Sequence, residues 1–151
     1  MNAKLLKRES EREAMNAPAK LQAFFDYLGT APEKPKTQEL AKILHSEIIW
    51  TFPKGAGPIV GGTHRGIIEI SELLSRIFTE FYDRTQFRFE LHEMFGNDVN
   101  AVARYSVIAV TAYNQPYNND YALICELRDG LIVRLEEYFD TAIAAKQMFP
   151  E

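Results

Sequence analysis

Cysteine is nearly absent: Cys125 is the only one in 151 residues. An internal disulfide is therefore excluded, and a reducing, cytoplasmic setting is expected. Long apolar runs are missing as well. The longest uncharged stretch, Tyr105 to Asn119, carries Asn, Gln, Pro, Tyr and Ser, and it is too short and too polar to span a bilayer. The N-terminus alternates Lys, Arg and Glu from Lys4 to Glu13 without an apolar core, which argues against a secretory signal. No membrane association is expected. Lys and Arg number 17 against 21 Asp and Glu, for a net charge of −4. No basic cluster is dense enough to neutralise several phosphates, so no nucleic-acid partner is expected. The three histidines, His45, His64 and His92, stand too far apart to give a metal-ligand spacing. No glycine-rich phosphate loop opens a helix with a Lys-Ser/Thr pair. Neither a metal nor a cofactor is expected.

The residues that are present describe an ordinary globular chain. Apolar residues make up 46% of it. A chain of this length buries roughly 70% of the surface it exposes unfolded, which allows one sizeable core and not two. Residues 1–17 read as a charged helical extension and residues 18–151 as one domain. Pro18 suits the first turn of a helix, and Leu21, Phe24, Phe25 and Leu28 then fall on one helical face, with Gly29 as its stop. Thr37 is a candidate N-cap for a short second helix marked by Leu40, Ile43 and Leu44. Ile48, Trp50 and Phe52 change the period to two and predict a strand. A Gly/Pro-rich loop follows, with at most a short strand near Gly62 to His64. The stripe Ile67, Ile70, Leu73, Leu74, Ile77, Phe78 and Phe81 predicts the clearest helix. Beyond Arg84 the pattern is extended, with strands over about 86–95, 100–113, 117–128 and 131–139 and a short helix over about 141–148. Asp129-Gly130 is a hairpin signal. Helices first and hairpins later predict an α+β fold on an antiparallel sheet.

One residue breaks the pattern of the last strand. Alternation places Leu131, Val133, Leu135, Glu137 and Phe139 on one face, apolar except for Glu137. A carboxyl desolvated among apolar neighbours has a raised pKa and suits general acid–base work. The alternatives are a strand end that lets Glu137 reach water, or an ion pair with an inward arginine. Val102, Arg104, Ser106, Ile108 and Val110 share one face of their strand, and Ala101, Ala103, Tyr105 and Val107 share the other. Both faces are apolar enough to turn inward. If the first does, Arg104 reaches Glu137 or an anionic ligand. Tyr117, Asn119 and Tyr121 share a face with Leu123, Cys125 and Leu127, and their polar groups either fix a ligand or form a satisfied rim. Trp50 reads as a core or pocket wall, and Cys125 as a small buried hydrophobe.

The order of elements and several local stretches resemble a known superfamily. Trp50-Thr51-Phe52-Pro53 resembles its first strand. Gly61-Gly62-Thr63-His64-Arg65-Gly66 before Ile67-Ile68-Glu69-Ile70 resembles its turn into the third helix. Tyr117 to Tyr121, Arg128 to Val133 and Glu137-Tyr138-Phe139-Asp140 resemble its closing hairpin. The superfamily is that of nuclear transport factor 2, ketosteroid isomerase and the SnoaL-like polyketide cyclases. The resemblance implies a cone-shaped α+β barrel, with N-terminal helices packed in the concave face of a curved antiparallel sheet. It also implies a homodimer through the outer sheet face and a pocket for a small apolar or polyketide-like molecule. The activities it implies are cofactor-independent isomerase, cyclase, dehydratase or hydrolase chemistry; the alternative is a non-catalytic binding or scaffold domain. The positions of the ketosteroid isomerase aspartates are apolar here, at Phe52 and Leu123. In the epoxide hydrolase pattern Glu137 matches one acid and Arg104 the arginine, but Ser106 replaces the second aspartate. The SnoaL-like pattern of a lone carboxylate matches at Glu137. Candidate catalytic residues are thus Glu137, Arg104 and His64, the last at the implied pocket mouth. Candidate ligand contacts are Trp50, Phe52, Tyr117, Asn119, Tyr121 and Ser106.

Overall fold

A computed structural model of the chain describes residues 2–8 and 16–148. Within the charged N-terminal extension, residues 3–8 are helical, and residues 9–15 lie outside the described residues. Helix α1 spans Ala17–Thr30. Asn16 caps it, its side-chain oxygen accepting the Ala19 N–H at 2.8 Å, and Pro18 sits in the first turn. The apolar face foreseen for this helix, Leu21, Phe24, Phe25 and Leu28, is buried. Gly29 does not end the helix but lies inside its last turn. Helix α2 is only Thr37–Leu40, because Leu44 already belongs to strand β1, Leu44–Phe52. Strand β2 is Gly62–Arg65. Helix α3, Ile67–Arg76, runs on into a π turn over Ile77–Phe81. Strands β3 (Tyr82–Gly96), β4 (Asn100–Thr111), β5 (Pro116–Arg128) and β6 (Leu131–Phe139) follow, then helix α4, Thr141–Met148.

The six strands form one curved, open sheet in the order β2-β1-β6-β5-β4-β3. Four neighbouring pairs are antiparallel, and β1 with β6 is parallel. The sheet is therefore mixed rather than wholly antiparallel. Its edges, β2 and β3, do not meet, so the cone stays open. On one side β1 pairs antiparallel with its chain neighbour β2; on the other it meets β6, from the distant end of the chain, in parallel. The β5–β6 turn has φ of 54° at Asp129 and 74° at Gly130, the two positive values of a type I′ hairpin.

Helix α1 packs across β3, β4, β5 and β6, and α3 against β1 and β2. One hydrophobic cluster fills the space between the helices and the sheet. The alternation of β6 is interrupted. The β5–β6 register shifts between Glu126 and Leu127, so Leu127 faces Ile132 while Leu123 faces Glu137. Ile132, Leu135 and Glu137 are thus inward, and Val133 lies outside the core cluster. The irregularity corrects the near half of the expected face and leaves Leu135, Glu137 and Phe139 together.

Candidate functional site

A cavity of about 340 Å³ opens between the sheet and the helices. That is within the range of about 300–1,000 Å³ usual for small-molecule sites. Phe24 and Phe25 of α1 form one wall and the rings of Trp50 and Phe52 another. Phe78 and Phe81 of the π turn and Phe87 and Phe89 of β3 complete the aromatic shell. The loop over Gly55 to Val60 borders the cavity. That loop folds tightly on itself: a Cβ on Gly61 would lie 2.7 Å from the Gly57 carbonyl oxygen, so a larger residue there would push the loop apart.

Glu137 lines this cavity and is only 9% exposed. Burial raises its pKa from 4.5 to about 7; a hydrogen bond from Tyr105 pulls the other way. The Tyr105 hydroxyl donates to Glu137 Oε1 at 2.5 Å, reaching from β4 across β5. Tyr105 is the only hydrogen-bond donor to this carboxyl among the described residues. Burial, then the neighbouring Glu137 charge, hold the Tyr105 phenol well above its ordinary pKa, so it stays a donor at neutral pH. The ring of Tyr105 stacks on that of Tyr121, with centroids 5.2 Å apart.

A second polar group sits beside this pair. The Tyr117 and Tyr121 hydroxyls are 2.5 Å apart, and the Tyr82 ring packs against that of Tyr117 with centroids 5.5 Å apart. Asn119 fixes the group from behind. Its Nδ2 donates to the Tyr117 hydroxyl at 3.0 Å and to the Asp140 carbonyl at 2.9 Å, while its oxygen accepts the Asp120 N–H. Tyr82 and Tyr121 line the cavity, whereas Tyr117 and Asn119 stand behind it. Tyr117 and Asn119 are therefore supports rather than wall residues. Trp50, Phe52 and Tyr121, all foreseen as ligand contacts, are wall residues.

Three other candidates lie elsewhere. Arg104 is on the outer sheet face, its side chain 60% exposed and 3.6 Å from Glu93. It does not approach Glu137, because the Tyr105 face of β4 is the one turned inward. Ser106 shares the outer face. Its hydroxyl donates to Asp120 at 2.6 Å, so it must accept its 2.7 Å hydrogen bond from His92 Nε2. It cannot contact a ligand in the cavity. His64 Nε2 donates to the Val60 carbonyl at 2.7 Å, and its Nδ1 lies 3.5 Å from Glu69. Both ring nitrogens thus face the loop and α3, and the ring touches the cavity only through the edge of Phe52.

Tyr105 and Tyr82 are the functional candidates that sequence reasoning missed. The signal for Tyr105 was its place on an apolar face with Ala101, Ala103 and Val107, a face that competed with its neighbour. Burial pushes the Cys125 thiol up to about 12, which makes it an inert part of the core. Among the described residues no group of three or more His, Cys, Asp or Glu is placed to hold a metal ion. No described helix is long and apolar enough to cross a membrane.

An open α+β cone with its pocket between helices and sheet has the nuclear transport factor 2-like fold. The chain belongs to the SnoaL-like domain family, whose model matches residues 21–135. Solved structures agree on the fold. A protein from Rhodopseudomonas palustris with a provisional isomerase assignment is 24% identical, with a TM-score of 0.69 over 87% of this chain and 97% of its own. A provisionally assigned SnoaL-like polyketide cyclase from Jannaschia sp. CCS1 is 12% identical, with a TM-score of 0.70 over 87% and 90%. TerC, co-crystallised with polyporic acid, is 22% identical, with a TM-score of 0.67 over 86% and 92%. No curated protein matches the sequence.

Proposed function

We propose that the protein binds a small, largely apolar, polyketide-like molecule in this cavity and that Glu137 moves a proton on it. The chemistry is of the isomerase, cyclase, dehydratase or hydrolase type, carried out in the cytoplasm. The observation that carries this reading is one carboxyl, buried in an aromatic cavity, with a pKa raised to about 7. Such a group is present in both protonation states near neutral pH. As carboxylate it accepts a proton from the ligand; as acid it returns one to another atom of the same ligand. Tyr105 holds one carboxyl oxygen and stabilises the charged form. The cyclase and isomerase assignments of similar structures, and polyporic acid in TerC, support the class of ligand.

Deuterium exchange at the α-carbons of β-tetralone, a neutral bicyclic ketone, tests the proposal. The protein is expected to accelerate this exchange near pH 7. Glu137→Gln should slow it by about a hundredfold or more, in line with the usual contribution of one general base. Exchange at the same rate in both proteins would remove Glu137 from the chemistry. Binding without exchange would favour a second reading, a ligand-binding domain without turnover. That reading draws support from Glu137 being the only carboxylate among the cavity-lining residues.

We also propose a homodimer through the outer sheet face. There Phe95 and Tyr138 are more than half exposed, between half-buried Val102, Ile108 and Ile124.

A further inference from the structure

Among the described residues two side-chain polar atoms are buried and unpaired, Trp50 Nε1 and Arg84 Nε, and both are shut off from the cavity as well as from solvent. The second oxygen of Glu137 differs from them. Tyr105 holds Oε1, while Oε2 has no donor and is not shut off, so it opens onto the cavity that Glu137 lines. When this carboxyl ionises it is an anion without a cation, because no Lys, Arg or His lines the cavity. An unpaired charge held out of water is costly, and a countercharge brought by an occupant relieves that cost.

The rest of the wall favours such a countercharge. Twelve of the lining residues are aromatic, and ring faces attract cations. Two rings of this shell already hold one: the Arg84 guanidinium lies 4.4 Å from the centre of Phe78 and 5.4 Å from that of Phe87, without itself lining the cavity. Hydrogen bonding narrows the head group. A primary ammonium would bring three N–H donors to the one free carboxylate oxygen, a tertiary ammonium brings one and a quaternary ammonium none. We infer that the cavity takes, as a second class of occupant, a tertiary or quaternary ammonium on a small apolar body, with Glu137 as its counterion and the aromatic wall around its head. This rests on the reading of the cavity as a ligand site and adds a ligand class to it. An anionic occupant would face a like charge with no partner.

Binding of such a cation is linked to the protonation of Glu137. The phenols around the carboxyl, Tyr105 of β4, Tyr117 and Tyr121 of β5 and Tyr82 of β3, are all pushed up by burial and stay neutral. Trp50 of β1 and Phe24 and Phe25 of α1 carry no charge. His64 stands behind Phe52, with its ring nitrogens toward Val60 and Glu69. Glu137 is therefore the acid that both lines the cavity and ionises near pH 7.

The probes are phenyltrimethylammonium, whose charge does not change with pH, and tert-butylbenzene, its neutral isostere. Affinities of the full-length protein for each are read by ligand-observed NMR at pH 6 and pH 8. For a midpoint near 7 the carboxylate fraction rises about tenfold over this interval, so the cation should bind about tenfold tighter at pH 8 and the isostere equally within about twofold. Glu137→Gln should bind the isostere as the natural protein does, which shows that the variant keeps its cavity. It should bind the cation about tenfold more weakly than the natural protein at pH 8, with no change between the two pH values. Saturating the natural protein with the cation should also lower the carboxyl-carbon NMR midpoint of Glu137. A cation that fails to bind or binds no tighter at pH 8, a pH dependence that persists in Glu137→Gln, or an unmoved midpoint overturns the inference while Glu137-dependent exchange of β-tetralone stands. Failure of both probes to bind the natural protein overturns it together with the ligand-site reading.

Discussion

Desolvation sets the behaviour of Glu137, and its thermodynamic consequence has a definite sign. The folded protein holds this proton up to about pH 7, and an unperturbed carboxyl releases it near 4.5. Between those values the folded state binds more protons than the unfolded one, so this group makes stability fall as pH rises. The loss begins above pH 4.5 and is complete above pH 7. At about 1.4 kcal/mol per pH unit it amounts to about 3 kcal/mol. Glu137→Gln removes the titration. Urea unfolding across this window should show the variant gaining about 3 kcal/mol relative to the natural protein between pH 4.5 and pH 8. A parallel pH dependence for the two would mean that the carboxyl titrates normally. Tyr105→Phe acts in the opposite direction from solvation: it removes the donor to the carboxylate and should move the Glu137 midpoint further up. A carboxyl-carbon NMR titration of that variant checks it, and a midpoint moved downward would contradict it.

At this scale the sequence made Glu137 conspicuous because it is a charged exception in an alternating apolar row. Arg104 and Ser106 were not legible. Both faces of β4 are apolar, and only the pairing with β5 decides which one turns in. The partner of Glu137 therefore proved to be a phenol one position along from the expected arginine.

Elements are held by local devices that can be tested singly. The Asn16 cap on α1 satisfies a backbone donor that the helix leaves unpaired. Asn16→Ala should cost about 1 kcal/mol in stability, visible as a lowered thermal midpoint. Gly130 holds the β5–β6 hairpin at positive φ, and Gly130→Ala should cost about 1–2 kcal/mol for a non-glycine residue in that region. No change on either substitution would show that these turns do not limit stability. The α1 face, the Asp129-Gly130 hairpin and α4 were readable because each is signalled within one or two turns of chain. The second helix is shorter than its apolar spacing predicts, since Ile43 and Leu44 fit either period and Leu44 opens β1. The π turn over Ile77–Phe81, which brings Phe78 and Phe81 to the cavity, continues an apolar stripe and has no sequence mark of its own.

For the whole molecule, the least legible feature is the β1–β6 parallel pair, which joins residues more than eighty positions apart. Local patterning sees strands but not the partners chosen across the chain, so an all-antiparallel sheet was expected. That pair places Trp50 and Phe52 beside Leu135 and Glu137, and the cavity depends on it. The proposed dimer belongs to this scale too. A specific interface usually takes about 800 Å² from each partner. Sedimentation at high micromolar concentration should give twice the monomer mass, and a monomer would remove the proposal.

The proposed chemistry requires that the Glu137 carboxyl be held out of water. A carbon-detected NMR titration of the natural protein addresses that directly. A midpoint near 7 is the predicted result; a midpoint near 4.5, that of a carboxyl in free contact with solvent, would contradict it.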